Sequence, residues 1–290
     1  MRTNKSQALV EKMTTQNWIA LTLTLSLVIL QLANFVTTIE SPKPARSSTN
    51  DRPQNELCLK RATELDRCLP RLVVYGDRNF APPRDDKQLD EHCSSLDENL
   101  KCIGSYSREC LPAFAKNLYS VVVRRLKVQF AKRCKSKDGR RDFLNLMACA
   151  EPKTMEPLHK CMDIFIAHLE HIGKGNQNRQ IELTCCTFQL FTDCIYSATR
   201  QSRCTQRRVP VEKSIEYVRT IISSMGGDMM DFMCGKYDNL QACRQGYPDM
   251  MGQFSSLGDK VRNNTVRPVS GSPLKPMLQL FIDQQAQLED

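Results

Sequence analysis

The sequence predicts an all-α fold, a disulfide-stapled helical bundle built from two related cysteine-rich helical repeats. Three observations lead there. Apolar residues recur at helical spacing through most of the chain, whereas period-two runs bounded by hairpin turns are scarce. Fourteen cysteines, an even number, all follow residue 57. One stretch also occurs twice: Gln88 to Cys102 reads QLDEHCSSLDENLKC and Gln180 to Cys194 reads QIELTCCTFQLFTDC. Glutamine, cysteine and cysteine stay in register at a constant offset of 92 residues, and each block continues Cys-Ile.

Taken in order, the chain opens with Arg2, Lys5 and Lys12 ahead of Trp18 to Leu30, thirteen residues without a charge. That is the layout of a signal peptide, and residues 1–38 are assigned to one. A signal anchor is the competing reading, because Trp18 to Ile39 is long enough to span a bilayer. The protein is then a type II membrane protein with a luminal or extracellular body. Both readings put the cysteines outside the cytosol, where disulfides persist. Ser41 to Gln54 is rich in Ser, Pro, Arg and Asn, so 39–55 reads as a flexible leader.

The first repeat is assigned to 56–148. Leu57, Ala62, Leu65 and Leu69 share a helical face that ends before Pro70, and a turn-rich loop runs from Gly76 to Pro83. Leu89, Cys93, Leu96, Leu100 and Ile103 form one face of a helix over 86–106. Pro112 then opens the longest helix, in the first turn where proline is tolerated. Its expected apolar stripe is Phe114, Leu118, Val121, Val122 and Leu126. Asp138-Gly139 is expected to break it, leaving a short helix over 143–148.

The second repeat is assigned to 149–254. Leu158, Met162, Phe165, Leu169 and Ile172 line one helix, ended by a loop at 173–178. Ile181, Cys185, Phe188, Thr192 and Ile195 repeat the face seen at Leu89 to Ile103. Pro210 starts a helix through Val211, Ile215, Val218, Ile222 and Met225 that ends at Gly226-Gly227. Short helical pieces at 228–234 and 239–244 carry a C-terminal Cys234/Cys243 element. Residues 255–290 read as a polar linker over 255–276 followed by a short helix with Met277, Leu278, Phe281 and Leu288.

The cysteines carry the duplication further. Cys58, Cys68, Cys93, Cys102 and Cys110 align with Cys149, Cys161, Cys185, Cys194 and Cys204 at offsets of 91, 93, 92, 92 and 94 residues. Cys134 corresponds either to Cys234, or to nothing, with Cys234 and Cys243 then forming a third copy of the short Cys58 to Cys68 element; the second alternative is preferred. No cysteines are spaced C-x2-C to C-x4-C, which argues against zinc and for disulfides at all fourteen positions. Cys93 and Cys102 lie nine residues apart on one helix, about 13.5 Å. That is too far for a bridge, so each must reach a different neighbour. The same holds for Cys185 and Cys194. Cys186, where the first copy has Ser94, suggests an added staple to Cys243.

Charge is unevenly placed. Lys116, Arg124, Arg125, Lys127, Lys132, Arg133, Lys135, Lys137, Arg140 and Arg141 fall in one segment with a single acid, Asp138. The segment's charge equals the +9 of the whole chain. Outside the cytosol the natural partner of such a cluster is a sulfated glycosaminoglycan, an acidic protein or an anionic lipid headgroup, not nucleic acid, and no aromatics are interleaved for base stacking. Arg140-Arg141 is an exposed dibasic pair on this reading. His168 and His171 stand three apart with His159 nearby and read as a surface pair, not as a metal site. Asn263-Asn264-Thr265 makes Asn263 an N-glycosylation acceptor. No G-x-S-x-G, H-E-x-x-H, Walker loop or G-x-G-x-x-G is present, so no catalytic residue, cofactor or metal ligand is assigned.

With Cys-Ile after the repeated helix, Cys110-Leu111-Pro112-Ala113-Phe114 and the adjacent Cys185-Cys186, the chain from Cys58 to Cys243 resembles cysteine-rich secreted helical proteins of arthropods and nematodes. The resemblance implies an extracellular helical module and no known chemistry. The expected function is non-enzymatic binding of an extracellular protein or anionic glycan through the basic segment. A carrier of a small apolar ligand is the alternative, with Met225 to Met233 lining its cavity.

Overall fold

The computed structural model describes residues 58, 61–62, 65, 67–68, 72, 76, 78–111, 113–175, 179–202, 209–227, 230, 233–277 and 279–280. The chain divides into two units, Met1–Ser48 and Thr49–Asp290, and every described residue belongs to the second. The assigned signal segment, the leader, Cys204, Phe281 and Leu288 therefore lie outside the described residues. Within them the structure is helical, with no strand. No described helix is long and apolar enough to cross a membrane.

The first half is a helical hairpin with a short helical stretch laid along it. Helix α1 is Asp86–Cys110, started by Asp85, whose carboxylate accepts from the Gln88 backbone N–H at 2.8 Å. Leu111 leaves helical geometry, and α2, Ala113–Lys135, runs back along α1. Leu96, Leu100, Ile103 and Tyr106 of α1 pack on Leu126 and Phe130 of α2 and on Leu65, Cys68 and Leu72.

The break after α2 comes at Ser136, which is extended and caps α3, Lys137–Met147, by accepting from the Gly139 N–H at 3.3 Å. Asp138-Gly139 thus lies inside the first turn of α3 and breaks nothing, contrary to the expectation, and the expected short helix begins six residues earlier. The glycine has a different reason to be there. A Cβ at Gly139 would stand 2.1 Å from the Lys132 carbonyl oxygen, so only glycine lets the α2 and α3 backbones approach this closely.

In the second half α4, Pro152–Ile172, begins with proline in its first turn and with Thr154 Oγ1 accepting from the Glu151 N–H at 2.9 Å. Helix α5, Gln180–Gln201, folds back on it across a short loop. Leu158, Met162, Phe165, Leu169 and Ile172 meet Leu183, Phe191 and Ile195 in the largest core cluster. Helix α6, Val211–Ile222, continues into a π-helical turn, Ser223–Gly227. A 3-10 turn, Gly235–Tyr237, and α7, Leu240–Gly246, follow. Leu89, Phe143, Met147 and Ala150, with Met155 and Tyr217 against them, join the two halves.

The polar linker expected from residue 255 is corrected. Helix α8 is Pro248–Arg262, and it lays Met251, Phe254 and Val261 in the interior, Phe254 completely buried. Ser255, Ser256 and Gly258 diluted the apolar count, but the spacing of Met251, Phe254, Gly258 and Val261 is that of one helical face against α4. The linker begins only after Arg262. Beyond it, residues 274–277 are again helical, and Met277 and Leu280 close on the main core.

Cystines tie these elements together. Cys58 is joined to Cys110, Cys68 to Cys102 and Cys93 to Cys134 in the first half. Cys161 is joined to Cys194, Cys185 to Cys234 and Cys186 to Cys243 in the second. Cys149 is also disulfide-bonded, and no described cysteine is free. Two pairings recur in register. Cys68–Cys102 and Cys161–Cys194 are offset by 93 and 92 residues, and Cys93–Cys134 and Cys185–Cys234 by 92 and 100. Cys234 thus takes the position of Cys134, and Cys243 holds the extra thiol of Cys186. Of the two readings of Cys234, its match to Cys134 is the one these pairings follow, because Cys234 is bonded to Cys185 as Cys134 is to Cys93, the cysteines that align in the repeated stretch.

Candidate anion-binding surface

The basic segment spans α2 and the first half of α3, and the folded chain divides its ten cations by helix geometry. One side of α2 buries Leu126, Phe130 and Arg133. The opposite side exposes Arg124, Lys127, Lys132 and Lys135, at successive spacings of three, five and three residues. Val121 and Val128 sit among these cations, 51% and 61% exposed. Val121 was expected in the buried stripe. The helix instead turns Val122, Leu126 and Phe130 inward and leaves Val121 on the far side. The side chains of Phe114 and Leu118 lie outside the description.

Along this face the described residues place no ion pair on Arg124, Lys127, Lys132 or Lys135, and α2 itself contains no acid. The face continues across to α6, where Arg219 lines an open groove with Val121, Arg124, Arg125 and Val128. Arg219 is almost a hundred residues away in sequence, so no local charge count could have joined it to the segment.

The other candidates are placed differently. Arg133 is buried, its guanidinium over the rings of Phe130 and Phe143 and its Nη1 donating to the Tyr217 hydroxyl at 2.9 Å. Arg140 reaches back to α1, bonding Asp86 and Asp90 at 2.7 Å each and the Cys134 carbonyl at 3.1 Å. Those carboxylates hold its charge more firmly than usual, raising its pKa. Arg141 pairs with Asp138 and Asp142. Lys116 and Arg125 are half-buried and Lys137 is exposed. Arg133 and Arg140 therefore leave the list of surface anion ligands, because an apolar helix interface takes one and two α1 carboxylates take the other. The dibasic pair Arg140-Arg141 is thus helical and ion-paired.

The histidines do not form a surface pair. His168 is 2% exposed, its Nε2–H donates to the Phe254 carbonyl at 2.9 Å and its ring lies 4.8 Å from that of Phe254. Burial pushes its pKa down to about 4. His159 is buried as well, while His171 contacts Gln253. No group of three or more metal-binding side chains converges among the described residues. His92, unremarked in the sequence, stacks on Phe143. Burial and then the nearby Arg133 charge push its pKa down to about 4.

Of the methionine-rich stretch, Met230 is core. Met233 lines, with Gln180, Ile181, Thr184, Met277 and Leu280, a void of about 10 Å³, room for one water at most. Asn263 is exposed just after α8, with Thr265 Oγ1 donating to the Lys260 carbonyl at 2.8 Å. The chain matches no protein-family model, no curated protein and no solved structure.

Proposed function

We propose that the protein is a secreted, non-enzymatic binding protein that holds an anionic extracellular partner, a sulfated glycosaminoglycan first, on the solvent face of α2. One observation carries the reading: Arg124, Lys127, Lys132 and Lys135 project from a helix without acids over about 16 Å. Unpaired cations at that density attract a polyanion and pay little desolvation, since they are already in water. The half-buried Lys116 and Arg125 flank them.

Secretion is supported by the cystine-bonded body and by the charge-free Trp18 to Leu30 run. The paired cystine registers support two copies of one module, with Cys186–Cys243 as an addition to the second. They also fit the likeness to cysteine-rich secreted helical proteins of arthropods and nematodes. Asn263 is proposed to carry an N-linked glycan, away from α2 in sequence and exposed.

Heparin-agarose chromatography tests the binding surface. The native protein is expected to be retained and to elute with added salt, as screening of an exposed cationic face requires. The combined variant Arg124→Glu, Lys127→Glu and Lys135→Glu is expected to pass through. Equal retention of this variant removes α2 from the function.

A further inference from the structure

Arg133 is a buried cation with no acid paired to it among the described residues. Only 5% of it is exposed, two aromatic rings cover its faces, and Nη1 is used on Tyr217. Nε and Nη2 are buried with no acceptor. These two nitrogens form one edge of the guanidinium, with parallel N–H bonds spaced to match the two oxygens of a carboxylate, sulfate or phosphate. Ring faces and a neutral hydroxyl attract the cation less than its removal from water costs, so an orphaned edge of this kind calls for a counter-charge.

The same side chain lines a groove of about 330 Å³ where α2, α3 and α6 meet, with Tyr217 beside it and Lys132 and Lys213 also on the lining. Two acids line the groove too, Asp142 and Glu216, but both are exposed and Asp142 faces Arg141. We propose that Arg133 is the centre of an oxyanion-binding site in this groove. A sulfate, phosphate or carboxylate group takes the Nε and Nη2 edge, with Lys132 and Lys213 adding charge from the groove lining. This site is distinct from the solvent face of α2 and does not rest on the glycosaminoglycan reading. Its signal was hidden in the sequence, because Arg133 looks like one cation among ten until the fold turns it inward.

Because both nitrogens are covered, occupation opens the groove around them, and half-saturation is expected on the order of millimolar. The probe is inorganic sulfate, added to isotopically labelled protein at constant ionic strength with chloride as the balancing ion. The Arg133 Nε–H resonance and the Gly139 amide are expected to shift saturably. Arg133→Lys, which keeps the charge and loses the fork, is expected to remove the saturable component. The α2 variant with Arg124, Lys127 and Lys135 reversed is expected to retain it, so this site and the glycan surface fail separately. Should Arg133→Lys not fold, Lys213→Ala is expected to weaken binding and Glu216→Gln to tighten it, each by about three-fold or more. Parallel titrations with inorganic phosphate and an O-sulfated disaccharide show whether the group arrives free or as an ester, by which binds tighter. Shifts that stay linear in sulfate and persist in Arg133→Lys overturn the site, as does a half-saturation that neither Lys213→Ala nor Glu216→Gln moves.

Discussion

Lowering the pH from 7 to 5 is expected to cost the fold about 2 kcal/mol at His168 alone. The Nε2–H of this imidazole is committed to the Phe254 carbonyl, so an added proton must go to Nδ1, which is buried with no acceptor. Burial lowers its pKa from the ordinary 6.5 to about 4, and the neighbouring charges of His171 and Arg262 add to the drop. Between those two values the unfolded chain binds a proton that the folded chain refuses. Stability therefore falls as pH drops through the window and is fully present above it. His92, part exposed and facing Arg133, pulls in the same direction with a smaller effect. The assay is urea unfolding followed by far-UV circular dichroism, with the disulfides intact, at pH 7, 6, 5 and 4. His168→Gln keeps an N–H to donate to Phe254 but does not titrate, so its stability is expected to decline less across the window by about 2 kcal/mol. Carboxylates titrate in both proteins and cancel in the comparison. An identical pH dependence, or a His168 ring that titrates near 6.5 in the folded protein, refutes the burial argument.

Two further outcomes follow from the packing. Gly139→Ala places a methyl group against the Lys132 carbonyl, so α2 and α3 must separate; thermal unfolding should show a loss of about 1–3 kcal/mol, with no comparable effect of Gly252→Ala, whose surroundings are open. Replacing Cys161 and Cys194 together by alanine opens a crosslink of sequence separation 33 and should cost about 4 kcal/mol in chemical denaturation, by the loop-entropy relation; a loss below about 1 kcal/mol means that α4 and α5 hold their hairpin by packing alone.

The helical class was legible because its cause is local. Leu89, Leu96, Leu100 and Ile103 recur at helical spacing, and all four are buried. The same logic missed α8, where Ser255, Ser256 and Gly258 lower the apolar count although Phe254 and Val261 still share a face. It also misread Gly139, since a glycine that ends a helix and one that admits a neighbouring carbonyl look alike in a sequence. Helix geometry excluded a Cys93–Cys102 bridge and left the partners open. The partners, Cys134 and Cys68, depend on which helices become neighbours.

The candidate sites divide along the same line. By itself the sequence determined the helical class, the cysteine-rich body, the matched spacing of its cysteines and the concentration of charge between Lys116 and Arg141. These follow from residue type and short-range spacing. Only the tertiary structure decided what each charge does. A half-turn of helix separates Arg133, buried against Phe143 and Tyr217, from Lys135 in water, and Arg140 is drawn to carboxylates of α1 some fifty residues away. Charge is a property of the residue, but solvation and partners belong to its place in the fold, and those two quantities set whether a cation binds a ligand or holds the protein together.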